Sequence, residues 1–258
     1  MLKPNALKAR LRAGDPAFGL IASIPAPVAV EMIGEAGFDF VIIDTEHVAI
    51  NPETIENMIR AAETVGVTPL VRVSSADPKE ILRVLDGGAM GIVLPAVESV
   101  VQMRRLVEAC RYFPAGNRSL GSGRAGAFGR NSLADYVVHA NDEILVVPMI
   151  ETRQGVEHIA EMLAVPGIDM VLEGAADLSQ SLGRPWCIDM PEVQDALRCV
   201  QHTCREAGIP YCAIARAPGD VALWQERGVR QFVLGDERGI AFRALQSRLH
   251  SVRTGEVA

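Results

Sequence analysis

Lysine is nearly absent from this chain. Of 258 residues only Lys3, Lys8 and Lys79 carry it. None lies in an apolar run that reads as a strand, and Lys79 opens a helix. A Schiff-base mechanism needs a lysine presented inside the fold, so any carbanion chemistry is pushed toward a metal. Positive charge does not dominate either. Lys plus Arg number 25 against 32 Asp plus Glu, a formal net charge of −7. That balance argues against nucleic-acid or membrane-surface partners, both of which need basic faces. No stretch reaches the roughly 18 unbroken apolar residues of a membrane helix. The opening MLKPNALKARLRAGDPAFG is mixed and charged, without an apolar signal core, so secretion is not expected. The five cysteines, Cys110, Cys187, Cys199, Cys204 and Cys212, are odd in number and form no CxxC pair. A disulfide framework or zinc knuckle is therefore not expected, and the reading is a cytoplasmic protein with reduced thiols. Cys110, Cys199 and Cys204 fall at helix-face positions and read as packing.

What is present is an ordinary globular composition, 49% hydrophobic and 22% charged. Eight short apolar runs recur: FGLIAS (18–23), FDFVIID (38–44), TPLVRV (68–73), GIVLPAV (91–97), ILVVPMIE (144–151), IDMVLEG (168–174), PYCAIA (210–215) and QFVLGD (231–236). Most are apolar at consecutive positions, as in parallel strands buried on both faces. Helical spacing fills the gaps, over 51–66, 77–88, 98–113 and 191–208. Asn51 before Pro52, and Asp77 before Pro78, are N-cap and N1 signals. Eight strands alternating with helices predict a (β/α)8 barrel, one domain over residues 1–258, with a doubly wound open sheet as the alternative. The one long connection, 112–136, is rich in Gly, Arg and Ser and is the length expected of a functional or mobile loop. Its Gly121–Gly126 stretch fits GxGxxG, but no strand precedes it, so a dinucleotide site is not expected. Its Arg118, Arg124 and Arg130 read as solvated surface, with an anionic substrate or a subunit contact as the alternatives.

Active sites of such barrels lie at the C-terminal ends of the strands. Strand 2 ends in Asp44-Thr45-Glu46-His47, strand 3 carries Arg72, strand 5 runs into Glu151, and strand 6 leads to Glu173 and Asp177. Glu151 and Asp177 follow adjacent strands, about 4.8 Å apart, so their carboxylates can share one Mg²⁺ or Mn²⁺; helix capping by Asp177 is the simpler alternative. Arg72, between Val71 and Val73, is costly to bury unless paired, either with a substrate carboxylate or with an acid such as Asp44. His47, beside Asp44 and Glu46, is a candidate proton carrier.

Taken in order, LKARLRAGDPAFGL, DTEH, VRV, LDGGAMGIVLPAV, RYFPAGNRSLG, PMIETRQGVEHI and PGIDMVLEGAADLSQSLG resemble the HpcH/HpaI aldolase family. That resemblance implies a metal-dependent class II pyruvate aldolase on a (β/α)8 barrel. The barrel would be homo-oligomeric (a dimer or hexamer), often with the last helix exchanged between subunits. It implies Glu151 and Asp177 as metal ligands for Mg²⁺ or Mn²⁺, with Co²⁺ also open. It makes Arg72 the holder of a small 2-oxo acid and its enolate, and His47 the base that works with a water of the metal. Asp86 would support that base, Asp44 is the acid preceding the histidine, and Gly174 and Ala175 form the turn whose N–H groups take the substrate carboxylate. Two departures stand out. The family's Gly-Pro-Ala-Asp reads Gly174-Ala175-Ala176-Asp177 here, after Glu173, and Met149 stands where some members carry glutamine. Relatives that make citrate from oxaloacetate and acetyl-CoA for siderophore biosynthesis supply the second expectation. A non-enzymatic scaffold is a third, which the joint presence of Glu151, Asp177, Arg72 and His47 disfavours.

Overall fold

The computed structural model describes residues 3–130 and 132–255. Helix α1 (Ala6–Ala13) precedes an alternation of strands and helices: β1 (Ala17–Ala22), α2 (Pro27–Glu35), β2 (Phe40–Asp44), α3 (Pro52–Val65), β3 (Thr68–Arg72), α4 (Pro78–Asp86), β4 (Gly91–Leu94) and α5 (Val100–Cys110). The second half holds α6 (Leu133–Glu143), β5 (Leu145–Ile150), α7 (Arg153–Glu157), α8 (Ile159–Leu163), β6 (Val171–Glu173), α9 (Ala175–Ser181), α10 (Pro191–Glu206), β7 (Tyr211–Ile214), α11 (Asp220–Glu226), β8 (Gln231–Asp236) and α12 (Glu237–Thr254). Each strand pairs in parallel with the next, and β1 also pairs with β8, Ala17 opposite Gln231 and Phe18 opposite Phe232. That last ladder closes the sheet. The fold is the expected (β/α)8 barrel, and the open doubly wound sheet is excluded.

Alternation along the strands separates two cores. Phe40, Ile42, Leu70, Val147, Leu172, Cys212 and Val233 fill the bore. Val41, Ile43, Val71, Ile92, Val146, Ala213 and Phe232 pack outward against the helices. Gly19 on β1 makes room for the bore: a Cβ there would lie 2.2 Å from the Phe40 ring. Helix α1 brings fully buried Leu7 into the same cluster and plugs the N-terminal end of the barrel. Asn5 caps α1 by accepting from the Lys8 N–H, and its side-chain amide donates to the Met90 and Glu143 carbonyls.

Several sequence-predicted strands begin a few residues early, because their first polar residue serves the barrel floor. Asp39 accepts the Phe18 N–H and pairs with Arg10. Asp169 accepts the Val146 N–H and holds Lys8 at 2.7 Å and Arg111 at 2.8 Å. Asn51 and Asp77 cap α3 and α4 as their spacing predicts. Cys110 and Cys204 are buried, but Cys199 is exposed, so the packing reading fails for it: it lies on the outer face of α10. Arg118 and Arg124 correct the solvated reading. Arg118 is buried, with its Nη2 on Asp86 at 2.8 Å and its guanidinium over the Tyr112 ring. Arg124 pairs with Glu63 and donates to the Gly87 carbonyl. The GxGxxG stretch lies in a loop with no strand before it, as read from the sequence.

Helix α12 differs from the other helices. It has no buried residue, and Ile240, Phe242, Leu245, Leu249 and Val252 are exposed along it. Glu237 ties only its start to the barrel, accepting the backbone N–H groups of Ser23 and Ile24. Among the described residues no helix is long and apolar enough to cross a membrane.

Candidate active site

Asp44 and Arg72 are the last residues of β2 and β3 and stand directly opposite each other in the parallel ladder. Arg72 Nε donates to Asp44 Oδ1 at 3.0 Å, and Nη2 lies 2.9 Å from Oδ2, a two-pronged pair. Both side chains are nearly fully buried. Burial alone would raise the Asp44 carboxyl, but the hydrogen bond and charge of Arg72, with the N–H groups of Glu46 and His47, hold it below the usual carboxylate range. Burial likewise opposes the Arg72 charge, and Asp44, Glu46 and Glu151 outweigh it and raise its pKa. The alternatives for Arg72's partner are thus resolved in part: Asp44 takes one edge of the guanidinium. On the other, Nη1 lies 3.2 Å from Glu46 Oε2, an oxygen that is buried without a hydrogen-bond partner.

Glu151 follows β5 and is 4% exposed. Its Oε1 accepts the N–H of Ala96, a residue held at φ 49° in the left-handed region. Burial pushes the Glu151 carboxyl up to about 7; the Ala96 N–H works against this, and the charges of Asp177 and Glu46 add to it. Gly174, just past β6, is required here. A Cβ on it would lie 2.3 Å from Glu151 Oε2 and 2.8 Å from Met149 Cε. Asp177 is exposed in the first turn of α9, and among the described residues no hydrogen bond commits it to capping. His47 is exposed at the same rim, its Nε2 3.9 Å from Glu46 Oε2.

Asp44, Glu46, Glu151 and Asp177 therefore surround a single arginine that Asp44 already neutralises. Such a mouth is short of positive charge. No group of three or more His, Cys, Asp or Glu among the described residues is arranged to hold a metal. A cation here would have Glu151 and Asp177 as protein ligands and open positions for water or substrate, the pattern of hard divalent ions with oxygen donors. The donor set fits.

A family model described as HpcH/HpaI aldolase/citrate lyase matches residues 18–235. The chain belongs to that family. It is an enzyme fold with aldolase relatives, as the sequence motifs suggested. The 4-hydroxy-2-oxo-heptane-1,7-dioate aldolase of Shigella sonnei is 36% identical over 231 residues, 90% of this chain and 86% of the relative. The solved citrate synthase SbnG is 42% identical, with TM-score 0.91 over 97% of this chain and 98% of that one. An HpcH/HpaI aldolase from Desulfitobacterium hafniense DCB-2 is 30% identical, with TM-score 0.90 over 96% of both chains.

Two expectations from the resemblance meet different geometry in this HpcH/HpaI barrel. Asp86 does not support His47 within the chain. It ends α4, and a helix that follows a strand runs back, so its last residue arrives at the opposite end of the barrel, where Asp86 binds Arg118. Gly174 does not offer its N–H to substrate, because that N–H donates to the Ile150 carbonyl at 3.1 Å. The Ala175 N–H, first in α9, has no acceptor among the described residues. Sequence reasoning missed Arg216, just past β7, whose Nη1 binds buried Glu173 at 2.6 Å. Its guanidinium reaches the outward-facing Glu173 beside Tyr211, a pairing that no strand pattern marks in the sequence.

The Asp44–Arg72 pair carries a pH signature. A carboxyl depressed on folding adds stability that is complete above its unfolded value, near 3.9, and is lost as pH falls through the folded value. Asp44→Asn should cost about 3–5 kcal/mol at pH 7, the expectation for one partner removed from a buried pair. Urea unfolding of both proteins from pH 7 to pH 3 should show that difference shrinking below about pH 4.

Proposed function

We propose that this protein is a divalent-metal-dependent aldolase. It joins or cleaves a carbon–carbon bond between a 2-oxo acid of the pyruvate type and an aldehyde. The observation that carries the reading is the pairing of a buried, rigidly held Arg72 with the acidic Glu151–Asp177 corner across one barrel mouth. Mg²⁺ or Mn²⁺ would be held by Glu151 and Asp177. When bound, such an ion acts as a Lewis acid that stabilises enolate charge.

The remaining work falls to the chain's own side chains. Asp44 fixes the Arg72 guanidinium, so its donors meet the substrate oxygens without reorganising, where they are worth most. A substrate oxygen competes for Nη1 with Glu46, whose carboxyl burial raises even against the charge of Arg72, so Glu46 is the weaker partner and is the one displaced. The Ala175 N–H takes the substrate carboxylate. His47, exposed at the rim, moves the proton to and from the reacting carbon or hydroxyl. The outward wall of helices and the plugged floor leave the C-terminal mouth as the entrance.

A second reading is a citrate synthase, in which oxaloacetate occupies the same corner as electrophile and acetyl-CoA supplies the nucleophile. The 42% identity to citrate synthase SbnG across nearly the full length of both chains supports it. We place the chain, as one domain, in the cytoplasm, which its five unpaired cysteines suit. We also infer that it is a homo-oligomer, a dimer or hexamer. The uncovered apolar residues of α12, with exposed Val28 and Met32 on α2, support this, since such surfaces mark association sites.

A paired assay with Mn²⁺ or with a chelator separates the two readings. Pyruvate loss with hydroxyaldehyde acceptors, abolished by chelator and by Glu151→Gln, is the expected result. Metal-independent turnover refutes the metal-dependent mechanism, and thiol release from acetyl-CoA with oxaloacetate makes the citrate reading the correct one. Arg72→Ala should lose about 2.7–4 kcal/mol of transition-state stabilisation, read as kcat/KM, by analogy with removal of one oxyanion donor. Leu245→Glu should convert the native assembly to smaller species by light scattering; a wild-type monomer would refute the oligomer.

A further inference from the structure

The first turn of α9 carries Asp177 and the Ala175 N–H, yet nothing at the start of that helix holds it in place. Helices α2, α3, α4 and α10 each open with a proline in the first turn. Helix α9 has none, because Ala175 stands where the family motif has proline. Its N-cap is Gly174, and among the described residues no side chain caps it. A proline at the first helical position fixes φ but has no N–H. Ala175 keeps the donor and gives up the constraint.

The constraint comes from the strand behind the turn. Glu173, the last residue of β6, stands in register with Ile150, the residue before Glu151. Gly174 donates its N–H to the Ile150 carbonyl at 3.1 Å and packs closely against the Glu151 carboxylate. Both acids of the corner are therefore referenced to the end of β6. The Glu173 side chain lies on the outer face of the sheet, 1% exposed, with both oxygens engaged. Oε2 accepts from Tyr211 Oη at 2.7 Å, and Oε1 from Arg216 Nη1 at 2.6 Å. Arg216 is itself fixed. Its Nη1 also donates to the Ile214 carbonyl at 2.8 Å, and its backbone N–H donates to Asp220 Oδ2, at the start of α11, at 2.8 Å. A buried ion pair adds little net stability, and an apolar side chain would fill this place at lower cost. What the carboxylate adds is a defined position, because it ties the end of β6 to β7 and to the start of α11.

We propose that Glu173, clamped by Tyr211 and Arg216, is the positioning residue for the Gly174–Asp177 turn and does the work of a helix-starting proline. The clamp touches neither substrate nor metal. It acts through the turn, setting the separation of Asp177 from Glu151 and the direction of the Ala175 N–H. This rests on the reading that Glu151 and Asp177 hold a divalent ion. Loosening the clamp weakens metal and 2-oxo acid binding and leaves Asp44, Arg72 and His47, on the far side of the mouth, where they are. Groups that orient metal ligands from behind typically set affinity by about 10–100-fold.

The test is titration calorimetry with Mn²⁺ alone, then with pyruvate on the Mn²⁺-loaded protein, with thermal melts to fix a temperature at which every variant is folded. Tyr211→Phe, which keeps the ring and removes one hydrogen bond, and Arg216→Met should each weaken Mn²⁺ binding about tenfold, and Arg216→Lys should recover part of the loss. Adding Ala175→Pro to Arg216→Met should restore Mn²⁺ affinity but not pyruvate affinity, because the proline pre-sets the turn and removes its N–H. If Arg216→Met does not fold, the same proline is added to Tyr211→Phe. A lowered Tm with unchanged Mn²⁺ affinity marks the clamp as purely structural and overturns the proposal. So does a proline that restores nothing. Wild type that binds no Mn²⁺ refutes the metal reading itself, whereas wild type that binds it as tightly as the variants do refutes only the role of Glu173.

Discussion

A guanidinium buried at the rim of a barrel is tolerable only if a carboxylate meets it in register, and the Asp44–Arg72 pair meets that condition through the parallel alignment of β2 and β3. The rest of the site depends on this pair. It fixes the direction of the Arg72 donors, and Arg72 divides its charge between Asp44 and Glu46, which leaves Glu151 and Asp177 with no ion pair among the described residues. That deficit is what a cation held by Glu151 and Asp177 would offset. It also explains why the Glu151 carboxyl, already raised by burial, is raised further by its acidic neighbours.

Two arginine–acid pairs tie neighbouring strands at this end of the barrel, on opposite faces of the sheet. Asp44 holds Arg72 at an inward position between β2 and β3, whereas Glu173, at the outward-facing end of β6, accepts from Tyr211 and from Arg216 just past β7. The close approach at Gly174, where even a methyl group would collide with Glu151, packs the Glu151 carboxylate against the turn into α9. Small residues and paired charges make the mouth rigid while the bore beneath it is an ordinary apolar core.

The strand count and closure were legible because each run is apolar at consecutive positions and ends in a polar residue, and the caps Asn51 and Asp77 mark their helices directly. Arg72, Glu151 and Asp177 were legible as strand-end residues. What was not legible depends on three-dimensional direction. Asp86 lies on the right element but at its far end, which a motif comparison does not convey. Gly174 spends its N–H on the ladder, and Arg118 is buried under Tyr112 although its loop reads as polar surface. Arg216 was passed over because it lies past the end of β7, and its pairing with Glu173 across the strand ends follows no strand period.

The central claim is that Arg72 and the acidic corner together stabilise a pyruvate enolate. Proton NMR of pyruvate in D₂O with Mg²⁺ reads this step without any acceptor. The account predicts enzyme-dependent loss of the methyl signal through deuterium exchange, absent with chelator and in Arg72→Ala. Methyl protons that persist in the presence of enzyme and metal, under conditions where the protein is folded and binds the acid, would contradict it.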